Sequence, residues 1–172
     1  LDLYRRKAPK LDWLINELER IRGLDEKVII FCEFKNIQRL LRHYIEEVFG
    51  IAPDIINGDT SVSVTRFDSR QKRIEAFQAR PGFGVIILSP VAVGFGVNIQ
   101  AANHVIHYTR TWNPAKEDQA SDRSYRIGQT KDVYVYCPTV YAEDFKTLDV
   151  HVDQILHDKR AVSDDVLNGA GD

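Results

Sequence analysis

The sequence predicts an α/β fold: an open, mostly parallel sheet with helices on both faces, followed by a C-terminal helical tail. Two observations predict it. Continuous apolar runs rich in β-branched residues, at 28–32, 85–88 and 105–107, read as strands buried on both faces. Between them lie segments whose apolar residues recur at helical spacing. Strand alternating with helix is the pattern of a parallel sheet, in which ligands bind outside the carboxyl ends of the strands.

Taken in order, Leu11, Leu14, Ile15, Leu18 and Ile21 mark an amphipathic first helix, with Gly23 where its C-cap would fall. Lys27 leads into the first strand, Val28 to Cys32. Ile37, Leu40, Leu41, Tyr44, Ile45 and Val48 follow the i, i+3, i+4, i+7 rule, so a second helix returns the chain to the start of the sheet and ends at Gly50. Asp54 to Ile56 is a short strand closing on the turn signal Asn57-Gly58. The segment from Thr65 to Ala79 reads as a helix anchored by Ile74 and Phe77 and broken by Pro81-Gly82. Val85 to Leu88 precedes a Gly-rich loop, Val105 to His107 is a further strand, and Val133 to Tyr136 is the last. From Ala142 onward, Phe145, Leu148, Val152, Ile155 and Leu156 predict one or two helices ending in a polar NGAGD. The loops after Cys32, Ile56, Leu88 and Tyr108 are therefore the expected functional edge.

A chain of 172 residues, 44% hydrophobic, is long enough to bury one core. A formal net charge of -2 gives no global basic footprint, so any nucleic-acid contact has to come from a local groove. Cys32 and Cys137 sit in apolar runs without metal-ligand or CxxC spacing, which predicts buried reduced thiols and no metal site. The apolar runs are strand-sized and LDLYRRKAPK lacks the apolar stretch of a signal peptide, so the expectation is a cytoplasmic protein with no membrane segment. The absence of any methionine leads to the expectation that the chain is a piece of something longer. His104 and His107 read as packing residues, and Lys159 and Arg160 as a solvated helix face.

The densest signal is TWNPAKEDQASDRSYRIGQ, residues 111–129. Asn113 can cap a helix whose first turn holds Pro114, because its side chain accepts an orphan amide and proline has none to satisfy. On a helix continuing past them, Gln119, Arg123 and Arg126 fall at i, i+4 and i+7 and project from one stripe. Two converging guanidiniums suit an anion, and their planar forks match phosphate oxygens. The plainer alternative is that both arginines pair with Asp118, Asp122 or a neighbouring surface.

The string Trp112-Asn113-Pro114-Ala115, Gln119-Ala120, Asp122-Arg123 and Arg126-Ile127-Gly128-Gln129 resembles motif VI and its lead-in in the Swi/Snf group of superfamily two DNA translocases. The resemblance implies a RecA-like second lobe, the helicase C-terminal domain. It implies that Arg123 and Arg126 reach the γ-phosphate of ATP held on a first lobe, with Gln119 nearby. Residues 88–99 resemble motif V, although Pro90 and Val93 depart from its usual threonine and paired glycine; there Gly94, Gly96 and Asn98 are the implied nucleotide-facing positions. Glycines in such a loop let backbone amides approach a phosphate closely. Residues 27–34 resemble motif IV. Lys35, Gly58, Thr60, Ser61, Ser89, Trp112 and Asn113 are the positions the resemblance implies against DNA, while the stretch from Ser61 to Arg70 is longer than usual, which unsettles any role for Arg66 or Arg70. Resemblance covers about Lys27 to Tyr136, and the tail is similar to the bracing helices of bacterial members. It divides the chain into a lobe at 1–140 and bracing helices with a flexible end at 141–172.

Neither a GxxxxGK[ST] phosphate loop nor an acidic metal-binding motif occurs in the sequence. The expectation is therefore a lobe inactive by itself. In the full-length parent it works on ATP with magnesium held mainly by the first lobe, tracks double-stranded DNA, and is nucleoid-associated in the cytoplasm. The alternatives are the lobe of a strand-separating RNA or DNA helicase, and a non-catalytic interaction module that has kept the fold. The WNP lead-in and the RIGQ ending favour the translocase.

Overall fold

The computed structural model describes residues 8–58, 64–90, 98–111, 113–122 and 128–167, with backbone alone for 64–69 and 165–167. The elements run α1 (Pro9–Gly23), β1 (Lys27–Phe31), α2 (Lys35–Phe49), β2 (Asp54–Ile56), α3 (Val64–Ala79), β3 (Gly84–Leu88), β4 (His104–His107), α4 (Pro114–Ser121), β5 (Tyr134–Tyr136) and α5 (Leu148–Leu167). The strands form one sheet in the order β2-β3-β1-β4-β5, with every pair parallel. The α/β fold the sequence predicts is the fold observed.

Alternation along the central strands makes two cores. Val28, Ile30, Cys32, Val85, Ile87 and Ile106 face α1 and α2, meeting Leu14, Leu18, Leu41 and Ile45. Ile29, Phe31, Ile86, Leu88 and Val105 face the other way, onto Ile74 and Phe77 of α3 and Ala120 of α4. Strand β1 is buried along its whole length, as a central strand covered on both faces must be.

Several local expectations need correction. Leu40 lies on the exposed side of α2, because the buried stripe is completed by Gln38, Leu41, Tyr44 and Ile45. Gly23 is the last residue of α1 and not its cap; the chain turns through Leu24 in an αR conformation and Asp25 at φ 58°. Gly50, by contrast, ends α2 in the left-handed region at φ 69°, as the sequence implies. The last strand starts at Tyr134, one residue later than expected. Among the described side chains of the tail, Phe145 and Leu148 are exposed and only Val152 and Leu156 are buried apolar residues, so this part of α5 docks through a narrow stripe. Cys137 is half-buried, where full burial was expected.

Among the described residues no helix is long and apolar enough to cross a membrane.

Candidate functional site

Strand register builds the edge on which the site sits. Ile56 pairs with Leu88, Leu88 with Phe31, and Phe31 with His107, so the carboxyl ends of four strands stand in one row. The chain leaves β1 toward β2 and leaves β4 toward β5, in opposite directions. The switch point of the sheet, where loops part and leave a crevice, therefore lies between β1 and β4. There the two loops are stitched together: the Glu33 amide donates to Thr109 Oγ1 at 2.8 Å, and the Tyr108 amide to the Phe31 carbonyl at 3.0 Å.

A buried polar chain ties the next loop to these. Gln38, fully buried on α2, donates to the Cys32 carbonyl at 2.6 Å and accepts from Asn57 Nδ2 at 2.9 Å. Arg70 on α3 donates to the Asn57 carbonyl at 3.1 Å. Hydrogen bonds of this kind in a low-dielectric interior fix the geometry of the segments they join. The Asn57-Gly58 turn is thus held against the start of α2, and Arg70 fastens it from behind.

Helix α4 begins as the sequence indicates. Asn113 is its N-cap, with Oδ1 accepting from the Ala115 amide at 3.0 Å, and Pro114 opens the first turn. The helix stops at Ser121, with Asp122 as its C-cap. The stripe expected to join Gln119 to Arg123 and Arg126 runs beyond that point, onto residues outside those described. Arg123 and Arg126 themselves lie outside the described residues.

What holds α4 is largely charged and was not legible in the sequence. Glu117 is buried, and Arg110 grips it with Nε at 2.9 Å and Nη2 at 2.8 Å, while Arg110 Nη1 also meets Asp153 of α5. Arg160 Nη2 reaches Glu117 at 3.2 Å and Asp118 at 2.7 Å. Arg160 is therefore part of an inter-helix cluster and not of the solvated face expected for it. Burial pushes the Glu117 carboxyl up, but the hydrogen bonds from Arg110 and Arg160 and the charge of Arg110 outweigh it and hold it below the usual carboxylate range. Arg110 is raised in turn, chiefly by its bonds to Glu117.

The histidines also do more than pack. His107 stacks on Phe31 with ring centroids 5.3 Å apart, and its Nε2 lies 2.8 Å from Ser121 Oγ, which ties β4 to the end of α4. Burial brings its pKa down to about 4. His104 stacks on Tyr134 and Tyr136, its Nδ1 is 3.1 Å from the Tyr136 hydroxyl, and Glu26 supplies a carboxylate 3.7 Å away that local sequence spacing could not reveal.

Of the other expected site residues, Lys35 opens α2 and is exposed, as are Gly58, Gln119 and Asn113. Ser89 is buried, its amide donating to the Ile56 carbonyl at 2.9 Å. Asn98 is exposed; its carbonyl accepts from Gln78 Nε2 at 3.2 Å. Thr60, Ser61, Gly94, Gly96 and Trp112 lie outside the described residues. Among the described residues no group of three or more His, Cys, Asp or Glu side chains could hold a metal ion.

The comparisons with known proteins agree on one family. The helicase conserved C-terminal domain matches residues 9–128. The Zorya protein ZorD of Escherichia coli O139:H28 is 57% identical over 165 residues, which is 95% of this chain and 15% of ZorD. The C-terminal part of the Fun30 ATPase domain superposes with a TM-score of 0.72 at 30% identity, covering 86% of this chain and 45% of that one. The Sulfolobus solfataricus SWI2/SNF2 ATPase core in complex with double-stranded DNA superposes with a TM-score of 0.67 at 34% identity, covering 89% of this chain and 30% of that one. Register, capped helix and these likenesses together lead to one statement: the chain belongs to the helicase conserved C-terminal domain family, as the RecA-like C-terminal lobe of a SWI2/SNF2-type ATPase.

Proposed function

We propose that this chain is the second motor lobe of an ATP-dependent double-stranded-DNA translocase working in the cytoplasm on nucleoid DNA. The observation that carries the reading is the row of strand ends, Ile56, Leu88, Phe31 and His107, which gathers the loops bearing Lys35, Gly58, Ser89 and Asn113 along one edge. In this reading Lys35, Gly58, Thr60, Ser61, Trp112 and Asn113 meet the DNA backbone. Ser89, being buried, acts from beneath that surface. Contacts of this kind position the duplex without reading its sequence.

ATP with magnesium is held mainly by the first lobe of the same parent. The fit to this lobe is that of a donor: α4 presents Gln119, exposed, just before the segment holding Arg123 and Arg126. Those two guanidiniums stabilise charge spread over the equatorial oxygens of the transferring phosphoryl group, the role of an arginine finger. Gly94, Gly96 and Asn98 bring backbone and amide groups toward the same nucleotide. With no phosphate loop of its own, the isolated chain is inactive.

The test is ATP hydrolysis by the full-length parent, with and without duplex DNA, comparing wild type with Arg123→Ala and Arg126→Ala. Turnover stimulated by duplex DNA and lost in both variants, with DNA affinity kept, supports the reading. Turnover indifferent to both arginines replaces it with a non-catalytic module that docks on a partner.

A further inference from the structure

We infer that Arg160, on the C-terminal helix α5, is a positioning residue for ATP turnover: through Glu117 and Asp118 it sets the helix that carries Gln119 and leads into Arg123 and Arg126. This rests on the motor-lobe reading above and names a control point within it.

Helix α4 is only eight residues long, and a helix of two turns has little stability of its own. Its contribution to the apolar core is Ala120 alone. Its placement therefore depends on polar contacts from three directions. The Asn113 cap fixes its start, His107 holds Ser121 at its end, and Glu117 in its middle is held by Arg110 from the loop after β4. Arg160 enters from the fourth side, on an element that follows the sheet.

Arg110 already satisfies the buried Glu117 with two hydrogen bonds, so Arg160 is not needed to keep that carboxylate from being orphaned. What Arg160 adds is a bond to Asp118, the residue immediately before Gln119. The helix supplying it is fastened along one stripe. Asp149 pairs with Lys10 at 2.7 Å, Asp153 meets Arg110, and Val152 and Leu156 are buried on the same face. That stripe makes α5 a strut running from α1 to α4. Any force that shifts α5 is then delivered to α4 and to Gln119 on it.

Arg160 is itself 38% exposed, so its ion pairs contribute little to global stability. Reacting groups are far more sensitive to placement, since a displacement of about 1 Å can cost on the order of a hundredfold in rate. This difference separates a positioning role from a merely structural one.

The experiment uses the full-length parent and measures kcat and KM for ATP at saturating duplex DNA, DNA affinity, and thermal melting. The variants are Arg160→Ala, Arg160→Lys, Arg123→Ala and, as a stability control remote from α4, Leu18→Ala. The expected result is a kcat lowered roughly tenfold or more in Arg160→Ala, with KM and DNA affinity unchanged and melting barely shifted. Arg160→Lys, which keeps the charge but not the fork, recovers part of the rate. Leu18→Ala melts earlier and keeps its kcat at temperatures well below melting. A wild-type kcat in Arg160→Ala, or a loss of rate that Leu18→Ala matches, overturns the inference while Arg123→Ala still vouches for the motor. If wild type shows no DNA-stimulated turnover, the motor reading falls and this inference falls with it.

Discussion

Arg110 and Glu117 form a two-pronged ion pair across the junction between β4 and α4, at 2.9 and 2.8 Å, with both side chains almost out of solvent. Breaking one side of such a pair leaves a buried charge uncompensated. Glu117→Ala should lower the unfolding free energy of the chain by about 3 kcal/mol, with Glu117→Gln losing less because it keeps an acceptor. Arg110→Met combined with Glu117→Leu should cost less than the sum of the two single changes. A double-mutant cycle in denaturant measures this directly; strict additivity would mean that the pair does not couple.

The chain should lose stability on mild acidification through His107. Its pKa is brought down to about 4 by burial, so the unfolded chain takes up a proton below about 6.5 that the folded chain refuses. Unfolding free energy therefore falls as pH drops from about 6.5 to about 4, by up to roughly 3 kcal/mol, and flattens below. His104, shifted down chiefly by burial and opposed by Glu26, acts with the same sign. Glu117 adds a further loss as pH falls from the usual carboxylate range to its depressed pKa, below which its contribution flattens. His107→Gln, which keeps a polar partner for Ser121, should flatten the upper part of the profile. Denaturant melts at stepped pH would show an unchanged slope if the histidine were not the cause.

Gly128, the third residue of the RIGQ segment, sits at φ 103°, and a Cβ built there would stand 2.5 Å from Gln100 Oε1. Gln129 beside it donates to the carbonyls of Gln100 and Ala102 at 2.9 and 3.2 Å. Gly128→Ala should therefore destabilise by about 1–3 kcal/mol from backbone strain, with Gln100 forced to shift. In the full-length parent, ATP turnover should fall further than DNA binding, because the strain is placed just after the arginine segment. A melting temperature equal to wild type would show that the backbone can relax away from this conformation.

How much of this was legible in the sequence divides along physical lines. Strands such as Val28–Phe31 and helices such as α2 announce themselves because burial imposes a period on nearby residues. Asn113-Pro114 was legible because capping is a local transaction between neighbours in sequence. Gln38 was not, since a glutamine between Ile37 and Arg39 has no local mark of the Cys32 carbonyl and Asn57 amide it joins. Arg110, Glu117 and Arg160 were opaque for the same reason: partners 7 and 43 residues apart look like solvated charges until folding brings them together. Leu40 erred the other way, as an apolar residue at the margin of a helical stripe that the neighbouring sheet does not reach.

Asn113 offers a way to separate two roles proposed for one side chain. Its Oδ1 caps α4 by accepting from the Ala115 amide, and its exposed position on the strand-end edge is where the motor reading puts a DNA phosphate. Asp caps as well as Asn, so Asn113→Asp should leave stability within about 0.5 kcal/mol, whereas Asn113→Ala should cost about 1 kcal/mol. The aspartate also brings a negative charge to the edge. If the edge faces DNA, Asn113→Asp in the full-length parent should weaken duplex binding several-fold at low salt, and the deficit should shrink as salt rises, since screening shortens the reach of the repulsion. Asn113→Ala should bind DNA more tightly than Asn113→Asp despite being the less stable of the two. The reverse order, or equal affinities at every salt concentration, would place the duplex away from the start of α4 and leave Asn113 as a cap alone.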